Sequence, residues 1–147
     1  MWPLLTKPEK KMTPRQVALV QDSWKKIVPI RDMAALLFYA RLFELDPSAR
    51  RLFHNDLELQ GRKVIETLNW MAESLDRFDS MTARLAELGR QHAGYGVRPD
   101  QYESVTAALL WAISQALGPD FDAATRDSWK LALSAVSEAM KSGAIGP

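Results

Sequence analysis

Over residues 17–140 apolar side chains recur every three or four positions, and nowhere do they alternate with polar ones for the length of a strand. That period is the turn of an α-helix, so each segment showing it has one face to bury against another helix. The expected fold class is all-α, with seven or eight helices around one core. Thr13, Pro14 and Gln16 compose a capping box with proline at the first helical position, and Val17, Val20, Trp24 and Ile27 follow on one face until Pro29. After Asp32 a second helix carries Met33, Leu36, Leu37, Ala40 and Phe43, and Asp46-Pro47 caps a short third one that reaches Phe53. A fourth, from near Asp56 to about Arg77, presents Leu57, Gly61, Val64, Leu68, Met71 and Leu75. Its interior glycine costs about 1 kcal/mol relative to alanine, which implies a close neighbour, and small Ala35 is the expected crossing point. Helices are also expected over residues 80–93, over 99–117, and from the Asp122 cap to Gly143, the last burying Trp129, Ala132, Val136 and Met140. Residues 1–12, with two prolines and a run of charges, lack a helical period and are expected to form a flexible arm ahead of one domain over 13–147.

Composition removes several classes of function. A chain of 147 residues buries a core without staples, and the absence of cysteine excludes disulfides, zinc-thiolate sites, iron-sulfur clusters and cysteine nucleophiles. Lys+Arg 19 against Asp+Glu 18 leaves no basic excess for a nucleic acid to attract. No apolar run approaches the length of a membrane span, and in MWPLLTKPEKKM the lysines follow the short apolar stretch instead of preceding it. A soluble protein of the cytoplasm is expected, without nucleic-acid or membrane partners. A Gly-rich phosphate loop, HExxH, a nucleophile elbow and a carboxylate-rich metal loop are all missing, so hydrolase and kinase chemistry has no support.

The segment that carries chemistry is LAELGRQHAGYGV, residues 85–97, which holds one of only two histidines. On a helix His92 shares a face with Leu88 and Leu85, so its imidazole meets an apolar wall. Gly94 and Gly96 accept the left-handed backbone of a helix end, which places His92 on the last turn. Two readings stay open on these residues alone. A buried histidine bonded to a carbonyl is the commoner fate of a lone imidazole, and a ligand presented beyond the helix is the other. Three more segments precede it in a fixed order: FYARLF, then DPSARRLF, then Gln60 four residues before Val64. Each alone is common. Their order and mutual spacing, on helices of these lengths, resemble the globin family over residues 13–140, particularly bacterial single-domain globins and the haem domain of flavohaemoglobins.

The resemblance implies a haem b cofactor, iron protoporphyrin IX, with His92 in the place of the proximal iron ligand. It also implies that Phe53, fourteen residues after Tyr39, packs on the haem face. Tyr39 and Gln60 match the distal pair of many bacterial globins, and Val64 the apolar residue that crowds the ligand. Phe43, Leu88, Val97, Tyr102 and Val105 match haem contacts, and Lys63 is placed to reach a propionate. Plainer roles compete: a core aromatic for Tyr39, solvent-facing positions for Gln60 and Lys63, ordinary core for the apolar residues, and core for Trp24, Trp70, Trp111 and Trp129. His54, the other imidazole, is expected at the surface. A neutral imidazole is a good axial ligand when its second nitrogen donates to a carbonyl, most simply that of Leu88. The sixth position then remains for a diatomic gas, and a polarised oxygen is retained by donors such as Tyr39 and Gln60.

Departures from the family limit the chemistry. The sequence stops at Pro147, short of the flavin and nicotinamide domains of flavohaemoglobins, so reduction is expected to need a separate reductase. A glutamate near the end of the last helix supports the proximal histidine in that group; here the region reads KSGAIGP, and Glu138 lies too early. Glutamine at position 60 argues against the bis-histidine haem of neuroglobin-like members, which leaves an open or water-bound ferric iron. The expected function is reversible oxygen binding for storage, transport or sensing. The alternative is an enzyme that converts nitric oxide to nitrate with a partner reductase. A haem-free interaction module is a third class, against which His92 and its distal partners speak.

Overall fold

The computed structural model describes residues 12–53 and 56–145. Thr13 closes the reciprocal cap read from its sequence. Its hydroxyl accepts from the Gln16 N–H at 3.1 Å, and the Gln16 side chain accepts from the Thr13 N–H at 2.9 Å. Helix α1 (Pro14–Ile27) starts there. It is followed by α2 (Arg31–Leu45), α3 (Leu57–Ser74), α4 (Thr82–Gly94), α5 (Gln101–Leu117) and α6 (Ala123–Ile145). The described residues contain six α-helices and no strand, so the all-α expectation holds while the count of seven or eight does not.

Two differences account for the count and the boundaries. The expected third helix is a 3₁₀ segment, Pro47–Phe53, started by Asp46, whose carboxylate accepts from both the N–H and the hydroxyl of Ser48. A 3₁₀ turn closes its hydrogen bond one residue sooner than an α-turn and suits so short a connector. The fourth helix ends at Ser74, before the expected Arg77, and continues as a 3₁₀ segment, Leu75–Ser80, in which Arg77 leaves helical geometry at φ −134°, ψ 50°. Ser80 donates to the Arg77 carbonyl at 2.7 Å, the local side-chain bond by which serine competes with a helix. At the other end α6 runs on past Gly143 to Ile145.

Gly61 meets the neighbours expected of it: a Cβ built there would lie 3.5 Å from the Cβ of Ala35 and 3.4 Å from the Tyr39 ring. The core has two parts. One gathers Val20, Trp24, Ile27, Met71, Met81, Leu85 and Trp129, with the two indoles 6.2 Å apart. Both indole N–H groups are satisfied, Trp24 on the Asn69 side chain and Trp129 on the Ser23 hydroxyl, each at 2.8 Å. The other part gathers Phe38, Tyr39, Leu42, Ala49, Ala108 and Ala112, where α2 lies on α5. Val64 and Leu109 pack against both. Trp70 and Trp111, expected in the core, are half-buried, Trp70 packed against the larger cluster, and Arg84 and Arg41 lie over their respective rings.

No helix among the described residues is long and apolar enough to cross a membrane. The expected arm lies outside them except for Met12, which is half-buried against the core. His54 also lies outside them.

Candidate functional site

The end of α4 is built by its glycines. Gly96 adopts φ +95°, the Val97 N–H donates to the His92 carbonyl at 3.0 Å, and the Gly96 N–H donates to the Ala93 carbonyl at 3.1 Å. This pair of bonds is the Schellman closure, so His92 stands on the final turn as its spacing implied. His92 is half-buried, and its Nδ1 lies 2.7 Å from the carbonyl oxygen of Leu88. In the tautomer that donates there, Nε2 keeps its lone pair. Leu88 and Val97 flank it, both half-buried.

Aromatic packing organises a second set of residues. Tyr39 stacks on Phe43 at 5.8 Å and meets the edge of Phe53 at 5.2 Å, while Phe43 and Phe53 are 5.9 Å apart. Arg50 fixes the group from outside: it donates to the Phe53 carbonyl at 2.8 Å and lies 5.4 Å from the centre of the Phe43 ring. The Tyr39 hydroxyl donates to the Leu57 carbonyl at 3.2 Å, and burial pushes its pKa up to about 12. Gln60 follows one turn along α3, half-buried, and its Oε1 is buried with no hydrogen-bond partner among the described residues. Val64 and Val105 pack against the same cluster as Tyr39. Lys63 is exposed.

Tyr102, at the start of α5, is 7% exposed, and its hydroxyl is the second buried side-chain polar atom without a partner among the described residues. Glu138, on α6, pairs instead with Lys141 at 3.7 Å, and Lys141 lies 5.9 Å from the Tyr102 ring. Of the residues singled out from sequence, Tyr39, Phe43, Phe53, Val64 and Val105 are brought into one cluster, whereas Leu88 packs against the other part of the core, His92 and Val97 lie at and just beyond the end of α4, and Lys63 faces solvent.

Comparison with known proteins follows this geometry. The family model described as Globin matches residues 36–140. The chain belongs to the globin family. Relatives of this globin include the neuroglobins of Tetraodon nigroviridis and Danio rerio, each 26% identical over 148 residues, with 91% of this chain and 93% of the relative covered. Among solved structures, an engineered carbene transferase, made from a nitric oxide dioxygenase-type protein of Rhodothermus marinus, matches with a TM-score of 0.80 at 26% identity, covering 90% of this chain and 93% of that one. A hexacoordinated haem protein of an anhydrobiotic tardigrade shares the fold, with a TM-score of 0.84 at 21% identity, over 96% of this chain and 100% of that one.

Globins hold haem, and the side chains present suit that group. His92 offers a ring nitrogen while its other nitrogen is engaged by the Leu88 carbonyl, the arrangement that fixes an axial imidazole. The Gln60 Oε1 is buried without a partner among the described residues, which costs about 1–3 kcal/mol unless something else engages it. Half-buried Phe43, Phe53, Val64, Leu88 and Val105 offer apolar surface to a flat macrocycle.

Two features of this globin have no counterpart in the sequence reading. The Leu57 carbonyl is a backbone acceptor, which no residue identity reveals. Gln101, 3% exposed, donates to the Asp46 carboxylate at 3.1 Å and accepts from the Arg98 N–H at 2.8 Å. It ties the loop after α4 to the corner that leads to Phe53. Its neighbours Asp100, Glu103 and Ser104 are polar, so the sequence carried no signal of its burial.

Proposed function

We propose that this globin binds oxygen reversibly at the iron of haem b, with His92 as axial ligand and Tyr39 and Gln60 as donors to the gas. Haem iron held by one imidazole supplies a sixth position at which a diatomic molecule binds. The observation that carries the reading is the buried Oε1 of Gln60, without a partner among the described residues, one helical turn after Leu57, whose carbonyl holds the Tyr39 hydroxyl of an aromatic and aliphatic cluster. A polar pair in such surroundings suits a small, polarised ligand. Because the Tyr39 pKa is raised to about 12, the phenol keeps its proton at any physiological pH and remains a donor. Either amide atom of Gln60 can occupy the orphaned position after a half-turn of the terminal torsion, so it can present an N–H. Val64 limits the room beside them, and Lys63 can swing to a propionate from its exposed position.

Position 60 carries glutamine where a bis-histidine haem would need an imidazole. Spectra of the purified protein, oxidised, reduced and with carbon monoxide, test the whole reading: a ferric iron that is open or water-bound is expected, and a low-spin bis-imidazole spectrum would overturn it. His92→Ala should purify largely without haem and lose apparent stability, since a ligand bound only by the native state stabilises it by mass action. Retention of the wild-type ferrous spectrum in that variant would remove His92 from the site.

The likeness to the Rhodothermus marinus protein favours a second reading, nitric oxide dioxygenation with a separate reductase. Repeated consumption of nitric oxide with nitrate as product, sustained by a reductase and absent without one, would establish the enzyme. A single turnover under both conditions would leave the carrier.

A further inference from the structure

Helices α4 and α6 meet through their backbones. A Cβ built on Gly89 would lie 1.8 Å from the carbonyl oxygen of Met140, and one built on Gly143 would lie 2.0 Å from the carbonyl oxygen of Ala86. The two contacts are reciprocal. In each helix the glycine comes three residues after the carbonyl that faces the partner's glycine, an arrangement that requires the helices to run antiparallel at the crossing. Only residues without a side chain permit such closeness, which brings a bare Cα–H up to the facing carbonyl. Both glycines are buried. The contrast with Gly61, where a Cβ would make ordinary contact at 3.4 Å, shows that the tightness belongs to this crossing.

Gly89 lies one turn before His92, next to Leu88, whose carbonyl holds the imidazole. Arg90, Gln91, Ala93, Gly94 and Tyr95 are exposed, so the turn that carries His92 has little other packing to locate it. We propose that Gly89 and Gly143 are positioning residues for the iron ligand, their backbone seat fixing where α4 holds His92. This rests on the reading of His92 as the ligand. A carbon and a carbonyl oxygen stay about 3.3 Å apart, so alanine at either position forces the helices apart by roughly 1 Å or more. Both clashing atoms are backbone and cannot rotate aside. A metal–ligand distance tolerates only about 0.2 Å, so a shift of that size must be felt at the iron.

The test uses Gly89→Ala and Gly143→Ala in the haem-loaded full chain. The ferrous iron–histidine stretching band should shift in resonance Raman spectra, and haem transfer to an acceptor protein should quicken by roughly tenfold or more. In a His92→Gly protein supplied with free imidazole the ligand is no longer tethered to α4, and there the same substitutions should leave the iron–imidazole band in place. An unmoved band with His92 present, or an equal shift with free imidazole, would overturn the seat. Persistence of the iron–histidine band in His92→Gly without imidazole would instead overturn His92 as ligand. Should Gly89→Ala fail to fold, Gly143→Ala near the end of α6 carries the same comparison. Hydrogen exchange on the unaltered chain adds a reading that needs no variant: with haem removed, amides of residues 85–89 should stay protected while those of 91–94 exchange freely. Equally fast exchange across both stretches would also overturn the seat.

Discussion

A tyrosine hydroxyl has one proton to give, and in Tyr39 it goes to the Leu57 carbonyl at 3.2 Å. To hold oxygen it must turn away from that carbonyl, so its contribution is a difference between two hydrogen bonds. A bond to a partly anionic ligand contributes about 1.5–3 kcal/mol and one to a neutral carbonyl about 0.5–1.5, which leaves roughly a five- to tenfold faster oxygen release for Tyr39→Phe. Stopped-flow release at the wild-type rate would show that the hydroxyl stays on Leu57. Gln60→Leu should act in the same direction, and the two effects should not add if both donors serve one ligand. The pH dependence follows from burial. With the folded pKa raised to about 12, the neutral phenol's contribution to stability is complete below the ordinary tyrosine value of 10.0 and is lost as pH rises through the folded value. Oxygen release measured against pH should therefore stay flat past the point where free tyrosine ionises. Tyr39 and Gln60 were legible because side chains are what a sequence names. The acceptor that Tyr39 engages, the Leu57 carbonyl, was not, because every residue brings a carbonyl.

Among the helices, one substitution has two signs. Gly61→Ala adds a methyl group at ordinary contact distance from Ala35 and the Tyr39 ring and removes an interior glycine, so it should stabilise the protein by up to about 1 kcal/mol. Gly89→Ala brings the same methyl group into the Met140 carbonyl and should destabilise by about 1–3 kcal/mol. Paired denaturant titrations decide this, and like signs would contradict the geometry. The corner after α2 has its own signature. Asp46 is held below the ordinary carboxylate range first by its bond from Ser48 and then by that from Gln101, so what it contributes is present above that range and lost as pH falls through its lowered value. Asp46→Asn should flatten the acid side of the stability profile. Helix existence could be read from Val17, Val20, Trp24 and Ile27 because burial of one face imposes the period. The 3₁₀ character of Pro47–Phe53 could not, since the two helix types share apolar spacing over so few residues. Gly89 was as visible as Gly61, and the argument applied to one would have flagged the other.

The whole molecule depends on two clusters joined through Val64 and Leu109. Trp129 is completely buried in the larger one and donates to Ser23, so Trp129→Ala should cost about 3–5 kcal/mol, seen as a lower denaturant midpoint at unchanged slope. A markedly smaller loss would mean that α1 and α6 close over the gap. The order in which these parts can settle follows from one contact. Helix α4 rests chiefly on α6, which comes after α5 in the chain. A polypeptide that leaves the ribosome from its N-terminus therefore exposes α4 well before its support exists. The aromatic group around Tyr39 and the α1–α3 contacts use segments that are available earlier. Haem offered to a growing chain would meet an apolar lining before it met a steady imidazole, and pulse-labelled exchange should find the amides of α4 among the last to be protected. On the proposed role of His92, completing α6 is the event that makes iron capture timely.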